Sequence, residues 1–422
     1  MSGVADRQFP TPEQFERQLT AFINTTLLGG GEAVGPETRL FEEGYINSLR
    51  ILDLIAIVEK TLGRRVPDRA VRLANFRTVA TIVRAFHPSV RALPPAAPTD
   101  SLFEHRTSRT AFASPVDALA RRGDLAVIEA GRVALSGLAL DVARAVDHTV
   151  ARWATTLGAV ERSYPSLIDF DVLARAGQAE SFPQHLTLAC HPERSEGSAI
   201  PSSWPAKPGE EGGRFDDKAK RHALAPAVCY HVYPEWQSKA FGETPVLLTA
   251  VGRCYRHEGG SHVPLERLWE FTMREIVVLG TRDQVEGVRQ TLVRQVSELV
   301  TTLGVDGAIA LATDPFFTSG DEGRRLMQQA GALKYELQLT IDAGGRNIAA
   351  ASFNHHHDFF GRRFDTTLST GTPAHSGCVA FGLERWVLAL LAQHGIEERR
   401  WPDAARRWLD DARTAVSGGV GA

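Results

Sequence analysis

The sequence predicts an all-α domain of four helices at the N-terminus, followed by a larger α+β domain in which a sheet is flanked by helices. Three observations lead to this prediction. Apolar residues recur at helical spacing through the first 88 residues, without an interrupting strand pattern. From about residue 110, strand and helix patterns alternate. A stretch rich in Pro and Ala separates the two parts.

The N-terminal domain, residues 1–88, is predicted from amphipathic segments. The first helix carries Phe15, Leu19 and Ile23 on one face, and the second carries Ile55 and Val58. The segments are TPEQFERQLTAFINTTLL (11–28), SLRILDLIAIVEKTL (48–62), the short VPDRAVRLANF (66–76) and TVATIVRAF (78–86).

The second domain is predicted to span residues 110–422, after a Pro/Ala-rich linker at 89–109. Its strand candidates are TPVLLTAVGRCYR (244–256), LWEFTMREIVVLG (268–280), YELQLTI (335–341) and IAAASFNH (348–355). Its clearest helices are DQVEGVRQTLVRQVSELVTTLG (283–304) and GLERWVLALLAQHG (382–395). Residues 191–223 are rich in charge, Pro, Gly and Ser and contain little to bury, so we expect a flexible surface insertion there.

The composition of the 422 residues excludes several classes of protein. The net charge is −3, with Lys and Arg spread along the chain, which gives no argument for binding nucleic acid or an anionic membrane. We find neither a signal-peptide pattern nor an apolar run long enough to span a bilayer. The four cysteines are too scattered for a disulfide scaffold. We therefore expect a cytoplasmic protein with reduced thiols.

Residues 254–280, CYRHEGGSHVPLERLWEFTMREIVVLG, contain an R-x-E pattern (Arg256, Glu258) and an R-x-x-x-F pattern (Arg267, Phe271). An adenine ring needs an aromatic face and a partner for its amine, and a triphosphate needs guanidinium groups. Two adjacent antiparallel strands would supply all of these. Taken alone, the same residues also fit a strand pair with exposed charges and one core Phe.

A further motif, G-L-E-R, ends at Arg385 at the start of the apolar helix 382–395. Together these patterns resemble motifs 2 and 3 of class II aminoacyl-tRNA synthetases. KYELQL (334–339) and SFNHHHDFFGRRF (352–364) are similar to the corresponding segments of seryl-tRNA synthetases. The resemblance covers most of residues 160–395 and implies an antiparallel class II sheet.

The resemblance also implies a role for each matching residue. Arg256 would bind the α-phosphate of ATP, and Glu258 would accept a hydrogen bond from the adenine amine. Phe271 would stack beneath the ring, Arg267 would contact the phosphates, and Arg385 would hold the outer phosphates or cover the other adenine face. The segment NIAAASFN (347–354) lacks the Mg²⁺-binding glutamate of seryl enzymes, so Mg²⁺ is expected to bind mainly to ATP itself.

Cys229, Glu275 and Cys378 each lie on a predicted strand next to a nucleotide motif. Their spacing alone fits three unrelated core residues, because free cysteines are commonly buried. A zinc-dependent type of seryl-tRNA synthetase and its relatives carry a Cys–Glu–Cys set at these positions. The resemblance therefore implies a Zn²⁺ site with one open position, which would bind the amino group of an amino acid. Cys190 and Cys254 match no such position and are interpreted as structural.

The run His355–His356–His357 is a tempting metal cluster. Adjacent residues on a strand point to opposite faces, so three neighbours do not easily bind one ion. We interpret the run as a polar strand end, with one histidine within reach of the substrate.

The segment LFEEGYINSLRILDLIAIVEK (40–60) resembles an acyl or peptidyl carrier domain, in which a serine before a Leu-rich helix bears phosphopantetheine. That serine is Ser48. A serine at a helix start is usually a simple cap, but the site also favours an attached phosphodiester. Asn47 is a departure, since carriers usually have Asp there.

Both resemblances meet in the amino acid:[carrier protein] ligases, which are seryl-tRNA synthetase homologues without the tRNA-binding arm. The implied reaction activates a small amino acid, glycine or alanine, with ATP and transfers it to the phosphopantetheine of its own or another carrier domain. Class II cores usually form homodimers, here through a segment near SYPSLI (163–168). No tRNA or membrane partner is expected. A true aminoacyl-tRNA synthetase and a non-catalytic paralogue that binds amino acid or ATP are the alternatives.

Overall fold

The computed structural model describes residues 10–28, 34–40, 45, 51–66, 73–89, 101–107, 114–189, 222–258, 262–312 and 334–418. The chain divides into two compact units. The first contains the described residues of 1–100 and of 311–334, and the second contains the described residues of 101–310 and of 335–422.

The first unit consists of helices around one apolar core. They are α1 (Pro12–Phe22), which continues as a π-helical turn (Ile23–Leu27), α2 (Ile51–Leu62), α3 (Leu73–Phe76) and α4 (Val79–Phe86). The Thr11 side chain caps α1 in a reciprocal arrangement with Gln14. Phe15, Leu19 and Val58 are buried in the core, as their spacing predicts. Asn47 and Ser48 lie outside the described residues.

The second unit alternates strands and helices in the following order: β1 (Ser101–His105), α5 (Val116–Arg122), β2 (Leu125–Glu129), β3 (Arg132–Leu135), α6 (Gly137–Thr156), β4 (Val160–Glu161), β5 (Leu167–Asp169), α7 (Phe170–Arg175), α8 (Gln178–Ser181), β6 (Thr187–Ala189), β7 (His222–Leu224), α9 (Val232–Glu235), β8 (Ala240–Phe241), β9 (Val246–Tyr255), β10 (Glu270–Gly280), α10 (Arg282–Leu303), β11 (Gly307–Leu311), β12 (Lys334–Thr340), β13 (Asn347–His357), α11 (Phe359–Arg363), β14 (Thr367–Leu368), β15 (His375–Gly382), α12 (Leu383–His394) and α13 (Asp403–Gly418).

The main sheet of this unit has eight strands in the order β1-β11-β12-β13-β15-β10-β9-β4. Strand β10 pairs antiparallel with β9 and with β15, β15 pairs antiparallel with β13, and β4 pairs parallel with β9. Residues from helices α6, α10, α12 and α13 share a core with one face of the sheet, with Phe353, Phe381 and Trp386 fully buried. The opposite face packs on a smaller cluster that contains Cys229, Tyr233 and other apolar residues.

The long strands and helices of the second unit were predicted from their periodicity, and two predicted boundaries need correction. Ser101–His105 falls in the predicted linker but forms β1, in which Glu104 pairs with Ala308 of β11. The strand is held by backbone pairing and buries little beyond Phe103. Its sequence therefore lacks an apolar strand pattern, and its Pro-rich surroundings favoured the prediction of a linker. His222 and Ala223 end the predicted insertion yet begin β7, and residues 191–221 lie outside the described residues.

None of the described helices is both long enough and apolar enough to cross a bilayer.

Candidate active site

The β9–β10 pair holds the first two nucleotide residues. Arg256 directly follows β9, and its backbone N–H donates to the carbonyl of Trp269 at 2.8 Å. Its guanidinium carbon lies 5.4 Å from the ring centre of Phe271, and its Nε donates to the Pro226 carbonyl at 2.8 Å. A fixed guanidinium beside an aromatic face is the pair of groups that a nucleoside phosphate requires.

Glu258 and Arg267 lie at the two ends of the loop that joins these strands. The Nε of Arg267 is 3.5 Å from Oε2 of Glu258, and both side chains are partly exposed. Arg267 also forms an isolated backbone bridge with Val263. The ion pair is therefore accessible to solvent, and a ligand can replace either side chain as the partner of the other.

Arg385 reaches the same place from the first turn of α12. Its Nε donates to the Glu266 carbonyl and one of its terminal nitrogens to the Ala349 carbonyl, both at 3.0 Å. Burial lowers the pKa of Arg385, and among the charged groups around it Glu258 opposes this shift while Arg256 adds to it. The structure thus gathers the predicted nucleotide residues around one site.

Glu384 was not singled out from the sequence, yet it is a buried carboxylate at the centre of this region. Both of its oxygens accept from the Thr272 N–H at 2.9 Å, and Oε1 also accepts from the Thr272 hydroxyl at 2.9 Å. Burial raises the pKa of Glu384, although the hydrogen bonds from Thr272 oppose the shift. An acid in the first turn of a strongly apolar helix was the signal that could have identified it.

Replacing Glu384 with alanine is expected to lower the free energy of unfolding by about 2–3 kcal/mol, because the Thr272 N–H and hydroxyl lose a buried acceptor. Glu384→Gln keeps an acceptor of the same shape and should retain most of the stability. Urea unfolding of both variants measures the difference. An alanine variant as stable as the glutamine variant would contradict the stabilising role of the hydrogen bonds between Glu384 and Thr272.

Glu336 on β12 is a second acid that the sequence analysis passed over. Its Oε2 accepts from the Gln338 side chain at 2.8 Å, and its charge acts on Arg385. Leu337 and Leu339 are buried in the core, so the alternation of the strand turns Glu336 and Gln338 to the other face. The alternation in KYELQL was the available signal.

Cys229, Glu275 and Cys378 converge, although 46 and 103 residues separate Glu275 from the two cysteines. One ligand atom of each residue lies within 4.8 Å of the others. The register brings Glu275 opposite Ala380 of β15, two residues from Cys378. The prediction of a strand at Cys229 is wrong, because this residue lies in the short 3₁₀ turn Val228–His231, which packs on the same face of the sheet.

Hydrogen bonds fix the Glu275 carboxylate between the two cysteines. Its oxygens accept from the backbone N–H groups of Val228 at 2.8 Å and Cys229 at 3.1 Å, and the Cys378 thiol donates to Oε2 at 3.2 Å. Contact with Cys229, followed by burial, raises the pKa of Cys378 well above its usual value. For Cys229, the contact with Cys378 lowers the pKa, but burial and Glu275 outweigh it and the net shift is upward.

This donor set fits a zinc ion. Two sulfurs and one carboxylate are ligands that Zn²⁺ accepts, and three protein ligands leave one position of a tetrahedron open. Burial and the Glu275 charge disfavour the thiolate forms of both cysteines, which raises their pKa values. A divalent cation would offset this, because it binds the thiolate form and neutralises its charge.

Next to these three residues lies an aromatic floor formed by Tyr233, Phe360 and His356. The ring of Tyr233 stacks on Phe360 with centres 3.7 Å apart, and its hydroxyl is 3.4 Å from Nδ1 of His356. His356 also contacts the Ser376 hydroxyl at 3.2 Å. Of the three consecutive histidines, His356 is therefore the one that faces the Cys229 side of the sheet.

Comparison with known proteins follows the same division of the chain. Residues 214–394 match the tRNA synthetase class II core domain (G, H, P, S and T), and residues 23–86 match the phosphopantetheine attachment site family. The chain is 33% identical over 258 residues to amino acid–[acyl-carrier-protein] ligase 2 of Bradyrhizobium diazoefficiens, which covers 60% of this chain and 75% of that protein. The chain belongs to the amino acid–[acyl-carrier-protein] ligase family. The predicted family, with a carrier domain ahead of a class II core, is confirmed, as is the expectation of an ATP-dependent ligase.

Two further relatives of this ligase come from the synthetases. The type-2 serine–tRNA ligase of Methanopyrus kandleri is 26% identical over 285 residues, which is 63% of this chain and 54% of that protein. The crystal structure of the M. kandleri seryl-tRNA synthetase with Aquifex aeolicus tRNASec superposes with a TM-score of 0.62 at 20% identity, over 87% of this chain and 70% of the other. The likeness to that structure shows that the ligase has the class II fold.

Proposed function

We propose that this ligase activates a small amino acid with ATP and transfers it to a phosphopantetheine thiol, carried on Ser48 of its own first domain or on another carrier protein. The observation that carries the proposal is the match of one chain to both a phosphopantetheine attachment family and a class II synthetase core. The gathering of Arg256, Glu258, Phe271 and Arg385 around one site supports ATP as the activating substrate. A homodimer is part of the proposal.

In the first step the amino acid carboxylate attacks the α-phosphorus of ATP, and pyrophosphate leaves as the aminoacyl-adenylate forms. Arg256 binds the α-phosphate, where negative charge builds up as the carboxylate oxygen bonds to phosphorus. Phe271 and Arg385 enclose the adenine, and Glu258 accepts from its amine. Arg267 is exposed at the loop end and binds the outer phosphates, with Mg²⁺ on the triphosphate itself.

Cys229, Glu275 and Cys378 would hold a Zn²⁺ ion at the end of the amino acid site. When bound, such an ion supplies a Lewis acid that accepts the free amino group of the substrate and so selects an amine next to the reacting carboxylate. Glu275 is held by two backbone N–H groups, so the three ligands are already close together before an ion binds.

In the second step the phosphopantetheine thiolate attacks the adenylate carbonyl. A carbon–sulfur bond forms, the carbon–oxygen bond to phosphate breaks, and AMP leaves with the electron pair of that bond. No protein nucleophile is required, since both bonds that break are high-energy bonds held in position by the site. A thiol tethered to the same chain would raise its effective concentration, provided that the linker spans the distance.

A small amino acid, glycine or alanine, is the proposed substrate. Tyr233 lies one helical turn after Cys229, is almost fully buried, and stacks on Phe360. Tyr233 and Phe360 pack in the same cluster as Cys229 and Cys378. They would therefore leave little space for a substrate side chain next to the bound amine. A strong preference for a bulky amino acid would contradict this part of the proposal.

Intact-mass spectrometry of the full chain tests the proposal. After incubation with coenzyme A and a phosphopantetheinyl transferase, we expect one phosphopantetheine adduct on the wild type and none on Ser48→Ala. ATP and a mixture of amino acids should then add the mass of one small amino acid to the wild type alone. Ser48→Ala should retain amino acid-dependent ATP–pyrophosphate exchange, because adenylate formation does not need the carrier.

Two further outcomes would contradict the proposal in distinguishable ways. If tRNA is added to the reaction, transfer of the amino acid to tRNA would favour an aminoacyl-tRNA synthetase. No pyrophosphate exchange with any of the amino acids would favour a paralogue that only binds its ligands.

A further inference from the structure

A second group of metal-binding side chains lies outside the amino acid site. It consists of His355 and His357 on β13 and His375 on β15, and is called the histidine cluster below. One ring nitrogen of each lies within 4.8 Å of the others. The ring centres are 4.8 Å apart for His355 and His357, 5.7 Å for His355 and His375, and 5.8 Å for His357 and His375.

The histidine cluster occupies the face of the sheet opposite to Cys378. Side chains alternate along β15, so His375 and Gly377 share one face and Cys378 points to the other. His355 is opposite Gly377 in the pairing, and a Cβ on Gly377 would touch Val285 of α10. The cluster therefore lies on the helix-covered side of the strands, whereas Cys378 and His356 face the amino acid site.

A second observation is that one ring nitrogen of the cluster has no hydrogen-bond partner among the described residues. The Nδ1 atom of His375 is buried and has no hydrogen-bond partner among the described residues. A buried polar nitrogen without a partner is unfavourable and rare in folded proteins. His357 adopts φ 51°, a left-handed conformation that is costly for a residue other than glycine and is concentrated at functional sites.

The charge state of the rings suits metal binding. Burial is the main cause that lowers the pKa of His355 to about 3 and that of His357 to about 4, and it also lowers the pKa of His375. Burial favours the neutral form of each ring, which is the form that binds a metal. His355 is buried, whereas His357 and His375 are partly exposed residues.

The charges around the cluster partly cancel. The cations that act on the rings are Arg282, Arg289 and Arg362, and the anions are Asp358 and Asp283. The geometry of His355 requires one change, because its Nδ1 now accepts the His357 backbone N–H at 3.1 Å. Binding an ion would exchange this hydrogen bond for a coordinate bond, and the net worth of one hydrogen bond is small beside the free energy of structural zinc binding.

We propose that the histidine cluster binds a second Zn²⁺ ion, through one nitrogen each of His355, His357 and His375. Three imidazoles suit Zn²⁺, and water would complete its coordination. The ion would link β13 to β15 directly behind Cys378 and give the unpaired His375 nitrogen a partner. This inference is independent of the proposed function, since a chain with one metal could still activate an amino acid.

Zinc analysis of the full chain without a histidine tag, after equilibration with Zn²⁺ and removal of excess ion, tests the proposal. We expect two zinc ions per wild-type chain, one for His375→Ala and one for the double variant Cys229→Ala/Cys378→Ala. Combining all three substitutions should remove both ions. His356→Ala is the matched control, because it removes the neighbouring histidine that faces the other side, and it should retain the ion of the histidine cluster.

Cobalt substitution gives a readout that does not depend on the number of zinc ions per chain. Co²⁺ in the Cys229→Ala/Cys378→Ala variant should show visible bands without sulfur-to-metal charge transfer, whereas Co²⁺ in His375→Ala should show the charge-transfer band. A His375→Ala variant with the same zinc content as the wild type would overturn the proposal, whether the wild-type chain binds one ion or two. A folded Cys229→Ala/Cys378→Ala variant that binds neither zinc nor cobalt would also overturn it.

Discussion

Replacing Arg256 with alanine is expected to lower kcat for amino acid-dependent ATP–pyrophosphate exchange by about 100- to 1,000-fold. The guanidinium is fixed by the Pro226 carbonyl and by the Phe271 ring before any substrate binds. Such a donor stabilises charge that develops on the α-phosphate in the transition state, so its loss should reduce kcat more than it raises KM. Exchange kinetics at varied ATP concentration measure both parameters.

Two variants serve as controls for this prediction. Arg256→Lys keeps the charge but loses the planar pair of donors, so it should recover only part of the activity. Arg294→Ala removes an arginine from the exposed surface of α10, where its side chain contacts Thr291, and should leave exchange unchanged. An Arg256→Ala enzyme within a few-fold of the wild type would refute the assigned role.

Replacing Cys378 with alanine is expected to remove one zinc ion and to lower pyrophosphate exchange by at least about 100-fold. Replacing a residue that only hydrogen-bonds to a metal ligand already lowers metal affinity or activity by about 10- to 100-fold. The thiol lies 3.2 Å from Glu275 and its loss leaves two of the three ligands. Metal analysis and exchange assays on the same preparation test whether zinc content and activity fall together.

Cys254→Ala is the matched control for the Cys378 substitution. Cys254 is fully buried in the same apolar cluster, but it does not belong to the group of ligand atoms formed by Cys229, Glu275 and Cys378. Its substitution should lower stability without changing zinc content. A Cys378→Ala enzyme with full zinc content and full activity would exclude this thiol from the site.

The sequence predicts the long elements of this fold because their apolar period is local. β10 and α10 are examples, since each pattern lies within one continuous segment. The approach of Glu275 to Cys378 depends instead on the register between β10 and β15, which spacing alone does not determine. A family resemblance, rather than periodicity, led to the prediction of this trio.

Other features depend on neighbours that are remote in the chain. β1 carries little apolar pattern and is defined by the backbone of β11. His356 points away from the other two histidines of its run, as the alternation of the strand predicts. His355 and His357 nevertheless lie together, and His375 reaches them from the next strand. Buried acids such as Glu384 are revealed only when the partner, here Thr272, is known.

The segment His375–Cys378 carries side chains for both faces of one strand within four residues. A slip of a single residue in β15 would exchange the faces, so that Cys378 pointed into the helices and His375 towards the substrate. A one-residue insertion or deletion here would therefore disable both clusters together, whereas point changes affect them separately. We expect this short strand to tolerate substitution at several positions but never a change in length.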